Sequence, residues 1–249
     1  METIFRIHRF NPETDREPFF REYRLDAEPN LRVLDCLNRI KWEHDGGLSY
    51  RMSCAHGVCG SCAVKINGRC TLACQTLVRD VAGDVVTIEP LPSFKVVKDL
   101  IVDLDAFMAR VACIRPFLLS HGPVPDRERP QSPEERKKID EVIRCILCAC
   151  CTGACPVSQG DPNYLGPAPL VQAFRRIFDS RDDETSARLA QMDAPDAAWG
   201  CVNHFECTRV CPKRIPITKS INFIKREIEK TRDQQIMTEI NRAEKRPED

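Results

Sequence analysis

Alternation of apolar and polar side chains dominates the first third of the chain. Residues 3–10 and 19–25 are rich in β-branched and aromatic side chains and flank Asn11-Pro12, which predicts a hairpin. Leu34, Leu37 and Ile40 share one side of a short predicted helix over Leu31–Lys41. The stretch Cys62–Ile66 alternates again, Asn67-Gly68 marks a tight turn back toward Cys74, and Val85–Ile88 supplies a closing strand. The pattern predicts a small sheet crossed by one helix for residues 1–95.

After Pro90 and Pro92 the period changes. Val97, Leu100, Ile101, Leu104, Met108 and Val111 fall at helical spacing and predict one amphipathic helix. Five prolines within 116–133 predict an irregular linker. Helical patterns return at 134–144, at 168–179 through Leu170, Val171, Phe174, Ile177 and Phe178, and at 215–230 through Ile217, Ile221, Ile224 and Ile228. The fold class is therefore α+β, with a sheet-containing domain over 1–95 and an all-helical domain over 96–249.

Composition narrows the functional classes. In 249 residues, Lys plus Arg balances Asp plus Glu at 37 each, so no global field points to nucleic acid or an anionic surface. No apolar run approaches the ~18 residues needed to cross a bilayer. The first residues carry neither a basic region with an apolar stretch nor an Arg/Ser-rich transit sequence, which predicts a reducing compartment. The basic residues Lys213, Lys225, Arg226, Lys230 and Arg232 are interspersed with acidic ones and read as a solvated helix face. Arg175-Arg176 and Arg181-Asp182-Asp183 read as ordinary surface charge.

The fifteen cysteines change the picture most. Their number is odd and their spacing is that of metal ligands, which disfavours disulfides. Cys54-x4-Cys59-x2-Cys62 opens as plant-type [2Fe-2S] sites do. Gly57 and Gly60 between these cysteines let backbone N–H groups approach sulfur. Cys74, in the semi-buried context Leu72-Ala73-Cys74, is the preferred fourth thiolate, and Cys70 is its competitor. Zinc fits this tight triplet poorly, because structural zinc sites use well-separated knuckles.

Cys145-x2-Cys148-x2-Cys151-x3-Cys155-Pro156 is the complete bacterial ferredoxin run, in which the fourth cysteine serves the other cluster of a pair. Cys145, Cys148 and Cys151 therefore predict a [4Fe-4S] cluster completed by Cys211. Cys155 crosses over to join Cys201 and Cys207. That site has three thiolates and His204 where a fourth is expected. Three thiolates suit [3Fe-4S], while an imidazole there is a candidate ligand for a fourth iron, as in Rieske centres. Cys150 breaks the ferredoxin spacing and reads as a neighbour of the cluster. Cys36 and Cys113 lie in helical segments and read as buried apolar residues.

The residues Ser53, Cys54, Cys59, Gly60, Ser61 and Cys62, with Asn67-Gly68, Leu72-Ala73-Cys74, Leu91-Pro92 and Asp99-Leu100, resemble the iron–sulfur subunit of succinate dehydrogenase and fumarate reductase, the respiratory complex II family. So do Cys145 to Cys151, Gly166-Pro167, Asp179-Ser180-Arg181-Asp182 and Val210-Cys211-Pro212-Lys213. The resemblance implies a β-grasp [2Fe-2S] domain docked on an FAD-bearing flavoprotein subunit. It also implies a helical domain whose [3Fe-4S] cluster lies nearest a cytochrome b type membrane anchor and its quinone. The chain is then a peripheral membrane protein on the cytoplasmic face of the bacterial inner membrane. It passes electrons from FAD through [2Fe-2S], [4Fe-4S] and [3Fe-4S] to quinone. Fumarate reduction in the opposite direction and a stand-alone multi-cluster carrier are the alternatives. Pro156 is the quinone-proximal residue that the resemblance retains. Gly160 and Val202 stand where many members place Trp and His, and His204 stands where the family is normally aliphatic.

Overall fold

Strands β1 (Glu2–Arg9) and β2 (Phe19–Asp26) form the predicted antiparallel hairpin in a computed structural model that describes residues 2–81, 83 and 85–244, with side chains as far as 238. Alternation decides what β1 buries: Thr3, Phe5 and Ile7 point into the core. Helix α1 (Val33–Arg39) runs on into a wider turn over Ile40–His44 and buries Val33, Leu34, Cys36, Leu37 and Ile40 against the sheet. After a long loop come β3 (Ala63–Ile66) and β4 (Arg69–Leu72), turned by Asn67 and Gly68, both at positive φ. A single turn, α2 (Val78–Val81), precedes β5 (Val85–Glu89). The sheet order is β2-β1-β5-β3-β4, with β1 and β5 parallel and the other neighbours antiparallel.

The helix expected over 97–111 is shorter and begins later. Val96–Lys98 (β6) and Ile101–Val102 (β7) pair as a hairpin, and only Asp105–Cys113 is helical (α3). Asp99 is the cause. It adopts φ +48°, and its buried carboxylate accepts the N–H groups of Phe10 and Ser49 and the Arg9 guanidinium. Those long-range bonds outweigh the local apolar period and hold the hairpin against the first half, past the boundary expected at 95. Cys113, at the end of α3, is exposed, not buried, while Cys36 is fully buried.

The same guanidinium organises a polar cluster under the sheet. Arg9 pairs with Asp45, Asp99 and Tyr23. Burial pushes the Asp45 carboxyl up, but hydrogen bonds from Tyr23 and Arg9 outweigh it and bring the group down to about 2.

The linker after Ile114 has no regular structure until α4 (Pro133–Lys137), where Ser132 and Glu135 cap each other. It is nonetheless fixed. Arg188 donates to the carbonyls of Ile114, Arg115 and Phe117 and forms a doubly hydrogen-bonded pair with Asp182, both side chains almost fully buried. Asp182 and Arg176, read from sequence as surface charge, are thus interior residues. The helical half then follows: α5 (Cys150–Gly153), α6 (Pro156–Gly160), α7 (Pro167–Ile177), α8 (Thr185–Met192), α9 (Glu206–Val210) and α10 (Ile217–Glu244). Helix α7 is buried nearly all round, and α10 packs on it through Ile217, Ile221, Ile224 and Ile228. One contiguous apolar core links the two halves.

Two outcomes follow from these ion pairs. Arg188→Met takes the buried Asp182 carboxylate's cation and the guanidinium donors of three carbonyls away, and should lower stability by about 3–5 kcal/mol. A melting temperature unchanged from the parent would contradict it. Asp45 binds its proton less readily when folded, so its contribution is full above its ordinary value of 3.8 and is lost as pH falls toward about 2. In Asp45→Asn, amide-exchange protection of β1 and β2 should therefore fall less steeply across that window than in the parent.

Candidate metal centres

The loop before β3 curls around its own sulfur atoms. Ala55, Gly57 and Gly60 all take positive φ, which turns consecutive N–H groups inward. Val58 and Cys59 each donate a backbone N–H to Cys54 Sγ at 3.3 Å, and Cys54 N–H lies 3.5 Å from Cys59 Sγ. Backbone donation from His56, Cys59 and Val58 lowers the Cys54 thiol to about 6. Ser61 Oγ lies 2.8 Å from Cys59 Sγ. Cys62, at the start of β3, is buried and pushed up to about 12 by that burial; its thiol neighbours are Cys74 and Cys59.

Cys70 and Cys74 are both buried, but they face different surroundings. Cys74 sits in a tight turn over Ala73–Gln75 and meets Cys62. Cys70, on β4, points toward the helical half: a Cβ on Gly153 would lie 3.5 Å from its sulfur. The structure thus groups Cys54, Cys59, Cys62 and Cys74 and sets Cys70 apart.

The second and third groups lie on two copies of one backbone motif. Cys145, Cys148, Cys151 and Cys155 correspond to Cys201, His204, Cys207 and Cys211 at a constant offset. In each copy the second and fourth residues after the first cysteine are left-handed, namely Leu147 and Ala149 in one and Asn203 and Phe205 in the other. Each copy next enters a short helix, α5 or α9, and ends on an extended cysteine followed by proline. Such non-glycine residues at positive φ are uncommon and need support from their surroundings.

These turns send the two terminal cysteines across. Cys145, Cys148, Cys151 and Cys211 line one cavity of ≈ 370 Å³ with Leu147, Val171 and Pro212. Cys155, Cys201 and Cys207 line another of ≈ 290 Å³, which His204 and Pro156 also border. Burial raises Cys145, Cys151, Cys207 and Cys211 above the usual thiol range. Cys148 is lowered, first by a hydrogen bond from the Cys150 thiol and also by the Cys150 N–H. Ile215 donates its N–H to Cys211 Sγ at 3.4 Å. Gly60 of the first loop touches the second group, since a Cβ there would come within 2.9 Å of Cys148 Cβ.

Several residues around these sulfurs carry no signal in the sequence. Gln172, buried on α7, hydrogen-bonds the Cys145 thiol. Thr218 Oγ1 lies 3.4 Å from Cys207 Sγ, and Lys225 Nζ donates to the Cys201 carbonyl at 2.7 Å. Lys225 is therefore part of the site's frame and not of a solvated face. Tyr164 is buried, and burial with the thiols of Cys201, Cys155 and Cys207 drives its ionisation upward. Gly200 makes room for it: a Cβ would stand 2.7 Å from the Tyr164 ring. Gly160 ends α6, and Val202 is exposed.

The donor chemistry fits iron–sulfur clusters. All three sites gather thiol sulfur; apolar side chains line the second and much of the third, and backbone N–H groups are aimed at sulfur at Cys54 and Cys211. Among the described residues no group of three or more His, Cys, Asp or Glu converges as it must around one metal ion. Thiolates of a multi-iron cluster instead stand at the corners of an inorganic core.

Comparison with known proteins agrees. Residues 4–109 match the 2Fe-2S iron–sulfur cluster binding domain and residues 141–215 the 4Fe-4S dicluster domain. The chain is 42% identical over 228 residues to the succinate dehydrogenase iron–sulfur subunit of Coxiella burnetii, covering 90% of this chain and 96% of the relative. It is 43% identical over 224 residues to that of Paracoccus denitrificans, covering 89% and 86%. Its fold matches a chain of the Mycobacterium smegmatis Sdh1 complex in the apo form with a TM-score of 0.80 and 25% identity, over 92% of this chain and 96% of that one. In sequence, in fold and in the placing of its cysteines, the chain belongs to the family of succinate dehydrogenase iron–sulfur subunits.

Proposed function

We propose that this chain passes single electrons through three clusters in series, within a membrane-bound succinate:quinone oxidoreductase. Cys54, Cys59, Cys62 and Cys74 hold [2Fe-2S]; Cys145, Cys148, Cys151 and Cys211 hold [4Fe-4S]; Cys155, Cys201 and Cys207 hold [3Fe-4S]. When bound, the clusters supply one-electron oxidation and reduction. The observation that carries the reading is contact between successive groups. Gly60 abuts Cys148, and α5, which carries Cys151, packs against α9, which carries Cys207.

The chain's own work is to insulate and tune. Apolar side chains wall the second site, and N–H groups directed at Cys54 and Cys211 stabilise negative sulfur. The two ends of the series are open. Val58 and Met52 expose apolar surface around the first loop, and Val202 and Phe205, 63% and 54% exposed, do so around the third. These patches support docking of an FAD-bearing flavoprotein subunit at one end and a cytochrome b type anchor with quinone at the other. Among the described residues no helix is long and apolar enough to cross a membrane, so the anchor makes the membrane contact in this reading. Pro156 borders the third site, whereas Gly160 and Val202 lack the Trp and His that the family resemblance implies. The anchor subunit therefore supplies most of the quinone pocket.

Cys207→Ser in the assembled complex should abolish the low-temperature EPR signal of the third cluster and leave the [2Fe-2S] signal intact. Retention of the third signal would refute the ligand set. Gly60→Ala should slow reduction of the [4Fe-4S] cluster after the [2Fe-2S] cluster, read by freeze-quench EPR, because the added methyl forces the two loops apart. An unchanged rate would place the route elsewhere.

A further inference from the structure

His204 is the one member of the duplicated cysteine motif that the three-thiolate reading leaves without a role. Its place is determined by the repeat: it corresponds to Cys148, between residues in the same left-handed conformations and just ahead of the same helix start. Cys148 lines the second cavity and His204 lines the third. Among the described residues the His204 ring has no hydrogen-bond partner, whereas His8, His56 and His121 each have one. It is also exposed, as are Asn203 and Phe205 beside it. A ring that is exposed, unpartnered and set at a ligand position has a free nitrogen lone pair and a path to solvent.

We propose that His204 is the ligand of a fourth iron, so that the third site takes up ferrous ion and passes from [3Fe-4S] to [4Fe-4S]. The inference rests on Cys155, Cys201 and Cys207 holding the three-iron cluster. In its one-electron-reduced state that cluster has no net core charge, and the chain's electron transfer supplies the electron. Ferrous ion then adds without further redox change, giving a core of charge 2+. Three bonds form from the incoming iron to the sulfides at the open corner and one to the His204 nitrogen; its bound waters leave to solvent. Imidazole is neutral where thiolate is anionic, so this iron is held less firmly than the other three. Iron supply thereby sets which cluster stands at the exit end of the series.

The test uses the purified complex without oxygen, reduced with dithionite and given ferrous iron enriched in iron-57. In the parent, most of the [3Fe-4S] EPR signal should fail to return on mild reoxidation after iron addition, and should return once stronger oxidation is carried out with a chelator present. Mössbauer spectra should show the enriched iron in a cubane, and pulsed EPR should show nitrogen coupling from histidine. A parent isolated already as a cubane, and converted to [3Fe-4S] by chelator and oxidant, supports the same conclusion. His204→Ile should regain its full [3Fe-4S] signal on mild reoxidation whatever iron was added, and His204→Cys should carry a cubane without added iron. The proposal is overturned if the parent signal returns in full on mild reoxidation after iron addition, if the isoleucine variant takes up iron equally, or if the cysteine variant remains three-iron. A third-site signal that persists in Cys207→Ser marks a different failure, that of the thiolate assignment beneath it.

Discussion

Anionic sulfur removed from water needs donors, and in this chain the backbone supplies them. A buried charge without hydrogen bonds is costly, and thiols here are buried in both halves. The remedy is local: turns at positive φ rotate successive N–H groups toward one sulfur, as at Ala55, Gly57 and Gly60. Left-handed turns recur at Leu147 and Ala149 and at Asn203 and Phe205, where side chains larger than glycine accept the strain. The surrounding core must therefore be firm enough to impose those turns, and α7, buried nearly all round, provides that support.

Crossing of Cys155 and Cys211 makes the two motifs interdependent. Each cavity is lined from both copies, so neither can be completed by one loop alone. Contact with the sheet half is equally close. Gly60 lies against Cys148, Gly153 leaves space for Cys70 and Pro92, and Arg69 donates to the Arg209 carbonyl at 3.0 Å. Small residues occur where backbones must approach, and the short separations needed for electron transfer are a product of that packing.

The sheet was legible because alternation is a local property: Phe5 and Ile7 on β1, and Val86 and Ile88 on β5, announce their face without reference to distant residues. The cysteine groups were legible for a related reason, since cluster geometry imposes strict spacing within each loop. What sequence could not show depends on contacts far along the chain. Asp99 bonds to Phe10 and Ser49 and turns an apparent helix into a hairpin. Asp182 reads as surface charge until the fold sets it against Arg188, which the carbonyls of the linker also engage. Lys225 resembled a solvated helix residue because its acceptor, the Cys201 carbonyl, arrives only when α10 folds back. Cys113 had the composition of a core helix yet lies on its outer side.

Electron transfer through this chain depends on three sulfur-lined sites filled with inorganic clusters. The most direct measurement is metal and acid-labile sulfide analysis of the protein purified without oxygen, together with typing of each cluster by low-temperature EPR. The ligand groups require about nine irons per chain with matching sulfide, divided among one two-iron, one four-iron and one three-iron centre. Colourless protein that holds zinc and no labile sulfide would contradict the account.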